Sequence, residues 1–78
     1  MTDYSVYILR CADKTLYTGI TNDLQRRIKQ HNNGTGAKYT RGRGPVKLIH
    51  KEQGLSKSEA LKREYAIKQL SRAEKKKL

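Results

Sequence analysis

Two tyrosines stand in the middle of two apolar segments whose composition is typical of neighbouring β-strands. Tyr7 lies in the run VYIL, and Tyr17 lies in LYTGI. Gly19 follows Tyr17 by two residues and therefore shares its face of the strand. Glycine weakens a strand and often marks a place where a ligand or another backbone comes close. The spacing predicts a floor of two phenols beside a bare stretch of backbone.

The helix predicted after the two strands directs two polar side chains toward the core. Leu24 and Ile28 define its apolar stripe, and at about 100° per residue Arg27 and His31 fall within the same arc. An ordinary amphipathic helix has aliphatic residues there. Two bland alternatives stay open: Arg27 lays its methylenes on the core and reaches water with its head group, and His31 is a boundary residue.

A carboxylate occupies a similar position on the second long helix. The predicted apolar face of that helix consists of Ala60, Leu61, Ile67 and Leu70. Glu64 lies inside this arc, and a carboxylate aimed at a core is costly unless it is paired or binds a cation. Two explanations stay open: a structural ion pair, with Arg27 as a candidate partner, or a metal ligand or catalytic carboxylate.

A phenol, a guanidinium and one carboxylate are together the groups needed to cut a phosphodiester bond. Glu64 would hold a divalent cation that polarises a phosphate oxygen and the leaving group. Arg27 would bind the phosphate through its forked donors and stabilise the growing charge. Tyr7 or Tyr17 would relay or accept a proton from water, with a pKa lowered from about 10 by neighbouring cations.

Six elements are needed to position these groups. We predict a β-hairpin within Val6–Thr21, a helix over Leu24–Asn32, a strand over Val46–Lys51, a helix after the capping box Ser56–Glu59 running to about Leu70, and a short final helix after a second capping box at Ser71. The order β-β-α-β-α-α predicts an α+β fold, a small three-stranded antiparallel-type sheet flanked by helices. His50 is expected at the end of the third strand, on the surface.

A glycine-rich segment, GTGAKYTRGRGP, connects the first helix to the third strand. It holds four glycines and the residues Lys38, Tyr39, Arg41 and Arg43. Glycines let backbone approach a phosphate, cations supply charge, and an aromatic ring can stack on a base. We predict a loop that contacts nucleic acid, although a plain connector has a similar composition.

Charge is the strongest compositional signal. Eighteen Lys and Arg against seven Asp and Glu give a net charge of +11 on 78 residues, which is typical of nucleic-acid binders. The length predicts a single domain over residues 1–78. Cys11 is the sole cysteine, so neither an internal disulfide nor a cysteine-rich zinc site is expected, and we assign it a packing role. No signal-like or membrane-spanning run is seen, which predicts a cytoplasmic protein.

With these residues in place, the sequence resembles a GIY-YIG endonuclease domain over nearly its whole length. The two short signatures read Val6-Tyr7-Ile8 and Tyr17-Thr18-Gly19, and Arg27, His31 and Glu64 match the family's helical site residues. The chain is most similar to small stand-alone bacterial GIY-YIG proteins and to the catalytic domain of the SLX-type structure-specific nuclease. The resemblance implies a DNA endonuclease with Mg²⁺ or Mn²⁺ on Glu64, acting on branched or nicked DNA.

Three positions depart from the family pattern. Val6 replaces the name-giving glycine, Thr18 replaces an isoleucine, and Ile20 stands where some relatives carry a lysine that assists the active tyrosine. The last departure makes His31 a candidate helper. Family enzymes also carry a separate binding domain, so we expect weak activity alone or a partner protein that supplies specificity. The alternative function is a non-catalytic module or accessory subunit that binds DNA or RNA.

Overall fold

The computed structural model describes residues 3–33 and 45–78. Its elements are β1 (Tyr4–Arg10), β2 (Leu16–Thr21), α1 (Leu24–Asn32), β3 (Lys47–Leu55), α2 (Lys57–Lys68) and α3 (Arg72–Lys76). The predicted order and the α+β fold class are confirmed.

The three strands form one antiparallel sheet in the order β2-β1-β3. The central strand, β1, is buried continuously from Ser5 to Leu9, which requires cover on both faces of the sheet. In the β1–β2 register Tyr7 pairs with Gly19. Directly paired residues project to the same face, so the phenol of Tyr7 and the bare backbone of Gly19 lie side by side.

Two separate apolar clusters cover the two faces of the sheet. One face packs Val6 and Ile8 against the buried Ala60 and Ile67 of α2. The other face, built on Tyr7, Leu9, Cys11 and Val46, is covered by Tyr17, Leu48 and the α1 residues Leu24 and Ile28. The first helix therefore covers the tyrosine face, and Cys11 has the packing role expected of it.

Local hydrogen bonds define the helix starts. Ser56 and Ser71 each form a complete capping box with the glutamate three residues later, Glu59 and Glu74, as predicted. The side chain of Asp23 caps α1 by accepting from the backbone N–H of Arg26. These caps satisfy backbone donors that would otherwise lack partners.

The third strand extends four residues beyond its predicted end at Lys51. Its pairing with β1 shifts register between the partners Val6–Glu52 and Tyr4–Leu55, and Gly54 adopts a φ of 77°. A glycine in the left-handed region lets a bulged strand continue pairing. The polar segment after Lys51 therefore continues the strand.

The predicted positions of two side chains were wrong. Leu61 is 46% exposed and does not belong to the apolar face of α2, because this helix buries only a narrow stripe against the sheet. His50 lies within β3, not at its end, and its Nε2 lies 2.9 Å from Oε2 of Glu52, which also accepts from Arg63. Within residues 3–33 and 45–78, no helix is long and apolar enough to span a bilayer.

Candidate active site

A hydrogen bond between two buried side chains forms the base of the site. Tyr7 is fully buried on β1, and its Oη lies 3.1 Å from Nε2 of His31 on α1. His31 is 1% exposed, so the inward placement predicted from helical phasing is confirmed. This bond joins the central strand to the helix that covers it.

Gly19 makes room for this arrangement. A Cβ atom at this position would lie 2.7 Å from Oη of Tyr7 and 3.0 Å from Cε2 of Tyr17, closer than side-chain carbons approach other atoms. The rings of Tyr7 and Tyr17 are 6.2 Å apart, and Tyr17 is 5.1 Å from the ring of His31. The bare backbone at Gly19 is therefore filled by the chain's own phenols, and the two tyrosines and His31 form one aromatic group.

The protonation state of Tyr7 differs from the sequence prediction. Burial raises the pKa of Tyr7 to about 12, and this effect outweighs the lowering by a hydrogen bond to Arg27. The neighbouring Tyr17 and Glu64 raise the pKa further. The prediction that cations lower this pKa was wrong for Tyr7. Burial destabilises the phenolate by more than the nearby guanidinium stabilises it. Tyr7 is a neutral phenol at physiological pH.

Two charged side chains, on helices that cover opposite faces of the sheet, affect the pKa of Tyr7. Electrostatic effects weaken with distance, yet both Arg27 of α1 and Glu64 of α2 act on the phenol of Tyr7. The pKa of Tyr7 therefore responds to a guanidinium and a carboxylate that belong to different helices.

His31 is held neutral. Burial is the main cause that lowers its pKa from the ordinary 6.5, and the positive charge of Arg27 lowers it further. A neutral imidazole has one ring nitrogen free of a proton. In the Nδ1–H tautomer, Nε2 therefore accepts the hydrogen bond that the Tyr7 hydroxyl donates.

Arg27 lies at the border between core and solvent. Its Nη1 donates to Oε1 of Gln30 at 3.0 Å. Both residues line a cavity of about 340 Å³ between α1 and the end of β2, together with Tyr4, Ile20, Thr21, Asn22, Asp23 and Arg26. The guanidinium can therefore meet a ligand without leaving the protein surface.

Glu64 is partly exposed to solvent, and its ion-pair partner differs from the candidate that the sequence suggested. Its side chain is 21% exposed, and its Oε2 lies 3.5 Å from Nζ of Lys68 one turn later. The ion pair is thus made with Lys68 and not with Arg27, which was the candidate partner in one of the two explanations that the sequence left open. The spacing of four residues on a helix is the signal that could have identified Lys68.

A divalent cation at Glu64 would need ligands from outside the chain. Within the ranges that the structure covers, no group of three or more His, Cys, Asp or Glu side chains could hold a metal ion. Mg²⁺ usually keeps several waters and binds one or two carboxylates together with substrate phosphates. A single, partly exposed carboxylate such as Glu64 fits that pattern.

The glycine-rich loop carries the predicted nucleic-acid contacts. Lys38, Tyr39, Arg41 and Arg43 lie outside the described residues, so their roles stay predictions.

Replacing Tyr7 with phenylalanine is expected to remove part of the alkaline destabilisation of the fold. The phenol titrates near 10 when unfolded and near 12 when folded, so its stabilising contribution is complete below pH 10 and is lost as the pH rises toward 12. Urea unfolding between pH 9 and 12 should show a shallower decline for Tyr7→Phe. Tyr65→Phe, at a residue that is 69% exposed, should follow the wild type. Parallel curves for Tyr7→Phe and wild type would contradict the assignment.

Comparison with known proteins agrees with the sequence resemblance. A family model described as the GIY-YIG catalytic domain matches residues 3–77. A UPF0213 protein of Halobacterium salinarum is 62% identical over 72 residues, which cover 92% of this chain and 94% of that protein. A UPF0213 protein of Clostridium perfringens is 64% identical over 70 residues, or 90% of this chain and 75% of that protein.

Two solution NMR structures share the fold. A UPF0213 protein from Bacillus halodurans superposes with a TM-score of 0.60 at 52% identity, covering 96% of this chain and 80% of that chain. The protein EF2693 from E. faecalis superposes with a TM-score of 0.67 at 43% identity, covering 99% of this chain and 82% of that chain.

Proposed function

Because this chain belongs to the family of GIY-YIG catalytic domains, and the sequence resembles the endonucleases of that family, we propose that it is a metal-dependent DNA endonuclease. It would hydrolyse phosphodiester bonds and select DNA by structure rather than by sequence. The observation that carries the proposal is the buried Tyr7 hydroxyl, which is hydrogen-bonded to His31 and has a pKa that responds to both Arg27 and Glu64.

The burial of the two tyrosines supports different roles for them. Tyr7 is fully buried, protonated and hydrogen-bonded to His31, so its proposed role is to position its neighbours. Tyr17 is only partly buried, so its phenol is the one that an attacking water can reach. In this scheme Tyr17 orients the water, accepts its proton and releases its own hydroxyl proton to the surrounding solvent, while His31 holds the orientation of Tyr7.

The charged side chains would act on the phosphate. Arg27 binds its non-bridging oxygens and stabilises the charge that grows during attack. Glu64 is the residue that would hold Mg²⁺ or Mn²⁺. A divalent cation bound there would supply Lewis-acid polarisation of the phosphate and stabilise the leaving oxygen.

Selection by DNA structure rests on the charge of the domain. A net charge of +11 favours contacts to phosphates, which position a protein on DNA without conveying base sequence. Branched or nicked DNA is the proposed substrate because the sequence resembles the SLX-type structure-specific nuclease, and a partner protein is the proposed source of added specificity.

A panel of DNA forms tests the proposal directly. Purified protein is incubated with linear duplex, nicked, flap, splayed and four-way DNA in Mg²⁺, in Mn²⁺ and in EDTA. We expect nicking of the branched forms that requires the metal. A Glu64→Ala preparation made in parallel controls for contaminating nucleases.

The high net charge also favours a second function, a module that binds DNA or RNA without cutting it. Such a module would bind in EDTA and in Mg²⁺ with equal affinity and would be indifferent to Glu64→Ala. If the wild type binds nucleic acid but cuts none of the panel at any metal concentration, this second function replaces the first.

A further inference from the structure

A cationic cavity lies on the sheet edge beside Tyr17. It has a volume of about 290 Å³ and is lined by Leu16, Tyr17, Thr18, Lys68 and Lys75. Both charged side chains are lysines, and no carboxylate lines the cavity. Such a lining favours an anionic ligand.

Tertiary contacts place the second lysine at this cavity. Lys75 is half-buried, whereas the next two residues of the lysine-rich end, Lys76 and Lys77, are exposed. The guanidinium of Arg72, at the start of α3, donates to the backbone carbonyl of Lys14 in the β1–β2 turn. This contact holds α3 against the beginning of β2, so Lys75 is kept apart from the freely solvated lysines.

The hydroxyl of Thr18 provides an independent indication of a ligand. Thr18 is 4% exposed and lines the cavity. In the described part of the chain, its Oγ1 is the only buried side-chain nitrogen or oxygen without a hydrogen-bond partner. A buried hydroxyl without a partner is unfavourable, and a rotation of the Thr18 side chain toward an anion in the cavity would give it one.

We propose that this cavity binds a phosphate of the substrate strand that neighbours the phosphate under attack. The inference rests on the proposed function, since it takes the attacked bond to lie near Tyr17 and Gly19. Tyr17 also lines the cavity, so a phosphate bound there would lie next to the phosphate that Tyr17 serves. The subsite thus sets the register of the strand along β2.

Lys68 connects this subsite to the proposed metal ligand. Its ammonium lies 3.5 Å from Oε2 of Glu64, and its side chain is 52% exposed. Ion pairs this exposed contribute little to stability, so Lys68 leaves Glu64 readily when a phosphate enters the cavity. Its departure also frees the carboxylate to accept a cation.

The test measures the salt dependence of DNA binding in EDTA, where no metal-dependent cleavage occurs. Binding of a fluorescently labelled flap DNA is followed by anisotropy for the wild type, Lys68→Met and Lys75→Met. Each phosphate contact contributes a slope of about 0.9 in log affinity against log salt for duplex, or about 0.7 for single strands. We expect each variant to lower the slope by about this amount.

Lys57→Met is the matched control. Lys57 is exposed at the opposite end of α2, roughly 16 Å from Lys68 along the helix axis, so it should leave the slope unchanged. Unchanged slopes in both cavity variants, or an equal fall for Lys57→Met, would show a diffuse cationic surface and overturn the subsite.

Thr18→Val tests the hydroxyl without altering charge. We expect weaker DNA binding at an unchanged salt slope and a melting temperature no lower than that of the wild type, because the variant removes an unpartnered buried oxygen. Wild-type affinity would remove the hydroxyl from the site and overturn its proposed role.

Amide NMR distinguishes a phosphodiester from a free anion. The thymidine dinucleotide is expected to saturate the shifts of Thr18 and Lys75 at a lower concentration than inorganic phosphate does. Equal or tighter saturation by inorganic phosphate would assign the cavity to a free anion and overturn the inference. None of these experiments requires cleavage. If the protein cuts DNA but the variants leave the salt slopes unchanged, only the subsite is rejected. If the protein does not cut DNA, the binding measurements can still support the subsite.

Discussion

Replacing Glu64 with glutamine is expected to abolish metal-dependent cleavage of branched DNA while DNA binding persists. The amide keeps the shape of the side chain but not the charge that holds a cation. Loss of several kcal/mol of transition-state stabilisation corresponds to a fall in rate of about 10³-fold or more. Single-turnover cleavage and anisotropy on the same DNA measure the two effects separately.

Folding should be nearly unchanged in this variant. The Glu64–Lys68 ion pair is partly exposed, so its loss costs no more than about 1 kcal/mol. Glu59→Gln is the control on the same helix. Glu59 is exposed and serves in the capping box of α2, so its variant should cut DNA at the wild-type rate. Cleavage by Glu64→Gln within about tenfold of wild type, a difference of only 1.4 kcal/mol, would remove the carboxylate from the mechanism.

Replacing Gly19 with alanine is expected to damage both the fold and the site. The added methyl would lie 2.7 Å from Oη and 2.9 Å from Cζ of Tyr7, on a ring that is packed in the core and hydrogen-bonded to His31. Overpacking of this kind typically costs about 1–3 kcal/mol. Since a displacement of 1 Å in a catalytic group can cost about 10²-fold in rate, we expect cleavage to fall by at least that factor.

Gly54→Ala separates the loss of stability from the loss of the site. Gly54 has a φ of 77°, and a Cβ there would meet nothing within 4 Å. Its variant should therefore cost roughly 1 kcal/mol of backbone strain and leave the cleavage rate per folded molecule unchanged. Urea unfolding measures the stability of both variants, and the cleavage rate per folded molecule measures the effect on the site. A Gly19→Ala protein with wild-type stability and rate would show that the phenols are free to shift.

The two tyrosines illustrate how the fold divides roles that the sequence leaves symmetric. Both occupy the middle of a strand, and the sequence permits either to contact water. The β1 strand is central and covered by helices on both faces, whereas β2 is an edge strand. Tyr7 is therefore buried and has a raised pKa, while Tyr17 borders the cationic cavity. The difference arises from strand position alone.

The sequence by itself determined the element order, the two capping boxes, the inward placement of His31 and the pairing of the two tyrosines on one face. These features depend on spacing within a few residues, where helical and strand periodicity and short-range hydrogen bonds decide the outcome. It also identified the family, because the signature residues are spread over nearly the whole chain.

Only the tertiary structure decided the raised pKa of Tyr7, the pairing of Glu64 with Lys68, the exposure of Leu61 and the cavity that brings Lys75 to Tyr17. Desolvation depends on atoms contributed by segments distant in sequence, and so does the choice between neighbouring cations on a strongly basic surface. Periodicity shows which face a residue occupies, but not how completely another element covers that face.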